Sequence, residues 1–122
     1  MAGMSRSVLV VDDDVAFRKL AVRTLRSWGH AVIGEAGTVA EALERSSQLR
    51  PDTVLVDIGL PDGDGFDLAH QLVVLPWQPR VVLISSDSDA TNHGAAERVG
   101  AAGFVPKDEV LDPGLRSLLA AR

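Results

Sequence analysis

The chain has 122 residues, which suits one domain built around one hydrophobic core. Its net charge is −5, which argues against a protein that binds DNA or RNA mainly through a basic surface. It has no cysteine, so disulfides, a thiol nucleophile and cysteine metal sites are excluded.

We expect no secretory signal in the first residues of this sequence. Its first residues are too short and too polar a run for a secretory signal, and no apolar stretch approaches the roughly 20 residues of a membrane span. We therefore predict a cytoplasmic protein without membrane contact. Residues 1–6 are expected to form a flexible lead-in, and residues 7–122 a single domain.

Short apolar runs alternate with amphipathic segments from the first residues of this domain. Ser7–Val11 is β-branched and apolar on both faces, which predicts a buried parallel strand. A helix with an apolar face follows and stops at Gly29. A second strand is predicted over 30–35, and the capping box TVAE at 38–41 starts a second helix.

The same alternation continues in the second half. The run GLPDGDG at 59–65 is loop by composition, with Asp62 and Asp64 as turn and cap residues. Five strands alternating with five helices predict an α/β fold, a doubly wound parallel sheet with helices on both faces. We predict strands over 53–56, 81–84 and 103–105, helices over 66–75 and 95–99, and a last helix capped by Asp112 with Pro113 first.

Polar side chains follow several of these strands. Asp12 and Asp13 end the first strand, Asp57 the third, Ser85 the fourth and Lys107 the fifth. Ligands of such sheets bind outside the carboxyl ends of the strands. If the first and third strands are neighbours, the three acids converge on one site.

The residue types at this site favour phosphoryl chemistry. Three carboxylates without His or Cys suit a hard cation, Mg²⁺ or Mn²⁺. Lys107 supplies a point charge for a phosphoryl group, and Ser85 supplies a hydrogen bond. A plainer interpretation is that Asp12 and Asp13 only cap the first helix, a role that we assign to Asp14.

Four motifs together resemble the response-regulator receiver domain of two-component signalling, from about Val8 to the last helix. They are VLVVDDD, PDTVLVDIGLPDGDG, VVLISS and GFVPK, in that order. The resemblance implies a flavodoxin-like (βα)5 fold with strand order 2-1-3-4-5. It also implies that a histidine kinase or phosphotransfer protein donates a phosphoryl group from phosphohistidine to Asp57.

The resemblance also implies a metal site and a switch. Asp13 matches a direct Mg²⁺ ligand and Asp12 one acting largely through water, while Asp57 and the Gly59 backbone carbonyl complete the set, with Mn²⁺ as a substitute. Lys107 matches the lysine that pairs with the phosphoryl oxygens. The other matches are Ser85, the switch hydroxyl, and Phe104, the aromatic switch whose ring turns inward after phosphorylation.

Two residues depart from the usual family pattern. Asp108 follows Lys107 where proline is common, so a trans Lys107–Asp108 bond is expected, since a non-proline cis bond costs about 2.5–4 kcal/mol. Phe104 stands where tyrosine is frequent, which removes a phenolic hydrogen bond.

The resemblance implies a signalling role rather than conventional enzymology. The expected activities are Mg²⁺-dependent self-phosphorylation and slow autodephosphorylation, which switch a surface made of the fourth helix, fifth strand and fifth helix. That surface could support a homodimer and control transcription, without nucleic-acid contact by this domain. The short final helix favours a receiver cut from a longer protein.

Two alternatives remain open. One is an unphosphorylated receiver-like interaction module. The other is a small phosphatase of the haloacid-dehalogenase type, which is disfavoured because Gly59 stands where that class has its second acid.

Overall fold

Strands and helices alternate through the residues that the computed structural model describes, which are 7–86, 91–109 and 113–120. No helix in these ranges is long and apolar enough to cross a membrane. The elements are β1 (Ser7–Val11), α1 (Val15–Ser27), β2 (Ala31–Ala36), α2 (Val39–Leu49), β3 (Thr53–Asp57), α3 (Gly65–Val73), β4 (Arg80–Ser85), α4 (Thr91–Arg98), β5 (Gly103–Pro106) and α5 (Pro113–Ala120).

The five strands form one parallel sheet in the order β2-β1-β3-β4-β5. This order confirms the predicted doubly wound, flavodoxin-like fold. It makes β1 and β3 neighbours, so their carboxyl ends meet at the same edge of the sheet.

Both faces of the sheet are buried. Along β1, Leu9 and Val11 belong to a core cluster with α2, α3 and α4, whereas Val8 and Val10 belong to a second cluster with α1 and α5. The alternation follows from the two-residue period of a strand. Each fully buried Leu or Val contributes about 1.5–3 kcal/mol of hydrophobic stabilisation. Because both faces of β1 are covered, apolar residues are favoured at successive positions, and β1 is a continuous apolar run.

Two segments differ from the sequence prediction by more than one or two residues at the end of an element. Helix α4 begins at Thr91, whereas the prediction placed it over 95–99. Its first turn has weak helix propensity, which is why the sequence did not predict it, whereas Ala96, inside the predicted range, is buried in the core. Part of the predicted loop pairs as two-residue antiparallel strands, Gly59–Leu60 and Gly63–Asp64. The predicted cap Asp112 lies outside the described residues.

Side-chain caps fix the starts of three helices. Asp14 caps α1 and Asp64 caps α3, as predicted. At α2 the Thr38 hydroxyl accepts a hydrogen bond from the Glu41 N–H at 3.0 Å, which confirms the capping box. In the usual capping box the carboxylate would accept from the N–H of the N-cap residue, Thr38. Here the Glu41 carboxylate accepts from the N–H of the preceding residue, Gly37, at 2.8 Å.

Asp62 adds a second cap to α2 from a distant loop. Its carboxylate accepts hydrogen bonds from the N–H groups of Val39 at 2.7 Å and Ala40 at 3.1 Å. Together with Thr38, it satisfies the first three N–H groups of the helix. The bond from Val39, with that from Ala40, holds the pKa of Asp62 below its usual value despite slight desolvation.

Replacing Asp62 by alanine should lower the melting temperature at neutral pH. Because the folded-state pKa is depressed, the stabilisation is present above the ordinary value of 3.8 and is lost as pH falls through the folded-state pKa. The melting temperatures of wild type and Asp62→Ala should therefore converge in acid. Thermal unfolding over a pH series measures this.

The exposed Glu44 on the same helix provides the control. Glu44→Ala should show no such convergence. Equal melting temperatures for wild type and Asp62→Ala at pH 7 would contradict the cap.

Candidate functional site

Three carboxylates and one ammonium meet at the carboxyl edge of the sheet. Asp12 directly follows β1, Asp57 is the last residue of β3, and Lys107 directly follows β5. The Lys107 Nζ lies 2.8 Å from Asp12 Oδ2 and 3.5 Å from Asp57 Oδ2. One oxygen from each of Asp12, Asp13 and Asp57 lies within 4.8 Å of the others. The structure thus brings together the acids that the sequence placed at strand ends.

The two inner carboxylates differ in their partners. Asp12 is fully buried, and its Oδ1 accepts a hydrogen bond from the Asp14 N–H at 2.8 Å. Asp57 is 5% exposed, and its Oδ1 accepts from the Gly59 N–H at 3.3 Å. Asp13, in contrast, is exposed to solvent. The site is therefore buried on one side and open on the other.

This oxygen set fits a hard divalent cation. Asp12 Oδ2 is enclosed and accepts no directed hydrogen bond from the described residues; its close contact is the ion pair with Lys107. One ammonium cannot balance three carboxylates, and buried charges are costly unless compensated. Oxygen ligands without imidazole or thiolate favour Mg²⁺ or Mn²⁺ over softer metals.

The pKa values show the same charge imbalance. Burial raises the pKa of Asp57, and the Asp12 carboxylate raises it further, against the Gly59 N–H and Lys107. For Lys107, burial lowers the pKa, but the carboxylates of Asp12 and Asp57 outweigh burial and the net shift is upward. Lys107 therefore remains an ammonium at neutral pH, and the raised pKa of Asp57 means that the site favours its charged form less than water does.

The two predicted switch residues lie on adjacent strands. Ser85 ends β4 and is 4% exposed, and Phe104 in β5 is also 4% exposed. The Phe104 ring already belongs to the core cluster shared with α2, α3 and α4. Their roles as a switching pair stay predictions. The Lys107–Asp108 peptide is trans, as expected.

Two further residues at the site were not identified from the sequence. The Arg18 Nη1 donates to the Asp12 backbone carbonyl at 2.8 Å, while its Nε pairs with Glu35 at 2.9 Å. The Lys107 ammonium lies 4.8 Å from the centroid of the Phe17 ring. Both Arg18 and Phe17 are on α1. Helical spacing in the sequence shows which face of the helix a residue lies on, but not which distant residues it contacts.

Gly65 is a third residue whose importance the sequence did not show. A Cβ at this position would lie 2.4 Å from the Asp57 carbonyl oxygen and 2.4 Å from the Ile58 Cα. The Gly65 N–H also donates to the Ile58 carbonyl at 3.0 Å. Helix α3 thus starts directly against the backbone that carries Asp57. A glycine at the start of a predicted helix was the available signal.

A doubly wound sheet with an acidic cluster at its carboxyl edge defines a flavodoxin-like domain with a candidate cation site. The family model described as the response regulator receiver domain matches residues 8–117. The chain therefore belongs to the response-regulator receiver domains of two-component signalling.

Individual relatives agree with this assignment. The signal receiver domain of NarL from Mycobacterium tuberculosis has a TM-score of 0.83 and 34% identity, covering 96% of this chain and 98% of that chain. A chain of the CheX-CheY-BeF3-Mg+2 complex from Borrelia burgdorferi has a TM-score of 0.79 and 25% identity, covering 89% and 86%. The DNA-binding transcriptional activator DevR/DosR from M. tuberculosis is 36% identical over 83% of this chain and 47% of its own length.

The chain spans about half the length of the first curated relatives that it matches, 54% and 47% of two of them. The matched part is the receiver region.

Replacing Gly65 by alanine should destabilise the protein by about 2–3 kcal/mol, because the added methyl group meets backbone that cannot rotate away. The matched control is Gly59→Ala, since nothing lies within 4 Å of a Cβ there. Chemical denaturation of both variants measures the difference. A Gly65→Ala variant as stable as Gly59→Ala would show that the Asp57–Ile58 backbone yields easily.

Proposed function

We propose that this receiver domain accepts a phosphoryl group on Asp57 from the phosphohistidine of a histidine kinase or phosphotransfer protein. The observation that carries the proposal is the position of the Asp57 carboxylate, 3.5 Å from the Lys107 ammonium and grouped with Asp12 and Asp13. Receiver domains interact with histidine kinases and phosphotransfer proteins, so membership in the family supports this donor.

The transfer is a displacement at phosphorus. An Asp57 carboxylate oxygen forms the new O–P bond, and the P–N bond of the donor breaks. The ring nitrogen keeps the electron pair of that bond, and the ring leaves as neutral imidazole because its other nitrogen is already protonated in the phosphohistidine. Lys107 offsets the negative charge of the phosphoryl oxygens, since a fixed ammonium needs no reorganisation during the reaction. We assign Ser85 the role of hydrogen-bond donor to the bound phosphoryl group. Slow hydrolysis of the acyl phosphate then resets the domain.

Mg²⁺ is the proposed cofactor, and Mn²⁺ can substitute. Asp12, Asp13, Asp57 and the Gly59 backbone carbonyl would hold it. When bound, the ion supplies positive charge that offsets the clustered carboxylates and the phosphoryl oxygens. The oxygen-only donor set supports this choice, as does a relative whose solved complex contains Mg²⁺ and BeF3.

The proposed output surface consists of α4, β5 and α5, including Phe104. Phosphorylation would change this surface and could drive formation of a homodimer. Relatives that activate transcription extend well beyond the matched region, so we propose a role in transcription control without nucleic-acid contact by this domain. A kinase partner of this kind supports a cytoplasmic location, which we propose for this protein.

Incubation with phosphoramidate should add one phosphoryl group to the full chain, and the addition should require both Mg²⁺ and Asp57. Intact-mass spectrometry of wild type and Asp57→Ala, with Mg²⁺ or with a chelator, measures this. The label should decay with time in Mg²⁺ buffer.

The matched control is Asp14→Asn, which removes an acid from the same run of three while asparagine preserves the helix cap. It should be labelled like wild type. Absence of label on wild type under all conditions would overturn the proposal and favour an unphosphorylated interaction module. Label on Asp57→Ala would place the phosphoacceptor elsewhere.

Mg²⁺ should raise the melting temperature of the wild-type protein. A ligand that binds only the folded state stabilises it by about 2.7 kcal/mol at 100 times its dissociation constant. Asp13→Asn should weaken Mg²⁺ binding about tenfold, equivalent to about 1.4 kcal/mol, because it removes a charged ligand.

Asp64→Asn is the control for this titration, since it changes a helix-capping acid outside the cluster. Its response to Mg²⁺ should match that of wild type. Equal responses of all three proteins would argue that the acid cluster does not hold the ion.

A further inference from the structure

We propose that Phe17 is a positioning residue for the phosphoryl-transfer site, because its ring holds the Lys107 ammonium beside Asp57. The inference rests on the proposed function. It starts from the 4.8 Å separation between the Lys107 Nζ and the centroid of the Phe17 ring. At that distance an ammonium is attracted to the face of an aromatic ring.

The ring is fixed independently of the lysine. Phe17 lies in the first turn of α1, and its N–H donates to the capping carboxylate of Asp14 at 3.2 Å. Its side chain packs partly buried against the core cluster of α1, α5 and β1. The backbone and the ring are therefore both held by contacts that do not involve Lys107.

The lysine, in contrast, needs to be held. A lysine side chain has four rotatable bonds and loses considerable conformational freedom when it is ordered. In this structure the ammonium lies closer to Asp12, at 2.8 Å, than to Asp57, at 3.5 Å. If a metal ion neutralises Asp12, the ion pair with Asp12 weakens.

The ring then provides a contact that does not depend on the carboxylates. An uncharged ring attracts the ammonium equally before and after the acids are neutralised. Phe17 would thus keep Lys107 next to Asp57 when the phosphoryl group arrives. An aliphatic side chain could fill the same space but lacks the negative ring face.

Beryllofluoride, a noncovalent mimic of the phosphoryl group, is the probe. In saturating Mg²⁺, Phe17→Leu should bind it about three- to tenfold more weakly than wild type. Phe17→Tyr, which keeps an aromatic face, should bind like wild type. Mg²⁺ affinity without beryllofluoride should be unchanged in both variants, because the proposed metal ligands are oxygen atoms and the ring supplies none.

Trp28→Leu is the matched control for loss of an aromatic ring. Trp28 follows α1 and packs against the same core cluster, but its ring faces Arg116, 5.8 Å from the centroid. This variant should lose stability and keep wild-type affinity for beryllofluoride. Wild-type affinity in Phe17→Leu would overturn the inference. So would equal loss in Phe17→Leu and Phe17→Tyr, since packing alone would then explain it.

A second measurement needs no phosphoryl mimic. The chain has only two lysines, Lys19 and Lys107, so Lys19→Arg leaves one lysine signal in the NMR spectrum. The side-chain protons of Lys107 should show an upfield ring-current shift that is lost in Phe17→Leu. Absence of that shift in a protein with wild-type Phe17 would overturn the inference even if Phe17→Leu fails to fold.

The two proposals can fail separately. A wild-type protein that takes no phosphoryl group from phosphoramidate and binds no beryllofluoride defeats the proposed function. The ring-current shift then still decides whether Phe17 holds the ammonium. If wild type takes a phosphoryl group and Phe17→Leu binds beryllofluoride as tightly as wild type does, only the inference about Phe17 fails.

Discussion

Within the part of the chain that the structure describes, the Lys107 ammonium is the positive charge that pairs with both Asp12 and Asp57, and the arrangement of the site depends on it. Asp12 is fully buried and Asp57 nearly so, and two like charges in such surroundings repel each other strongly. Lys107 contacts both, but one ammonium cannot balance even these two carboxylates, and Asp13 adds a third. The site therefore keeps a net negative charge that a divalent cation can offset.

The sheet places these groups within reach of one another. The sequence separates Asp12 from Lys107 by most of the chain, and only a strand order with β1 beside β3 brings the acids together. The two apolar faces of the sheet require helices on both sides, and this doubly wound topology provides them. The hydrophobic core and the charged edge are thus consequences of the same topology.

Sequence patterns predicted the strands well because buried parallel strands are continuous apolar runs with polar residues at their ends. The strand from Thr53 to Asp57 and the strand that ends at Ser85 are examples. The polar residues at the strand ends also located the site. Local patterns could not show contacts between distant segments. The bond from Asp62 to α2 and the placement of the Phe17 ring both depend on how loops and helices dock. Helix α4 was predicted too short because the residues of its first turn have weak helix propensity, so no local signal in the sequence indicated that turn.

The loop between Asp57 and α3 is tied down at several points. The Gly59 N–H binds Asp57, Asp62 binds the start of α2, and the Gly65 N–H binds Ile58. Exposed glycine-rich loops commonly tolerate extra residues, but tolerance depends on the hydrogen bonding of the backbone involved. One residue inserted in this loop would disrupt at least one of these three hydrogen bonds. These hydrogen bonds therefore restrict the length of this segment, although its composition suggests a permissive loop.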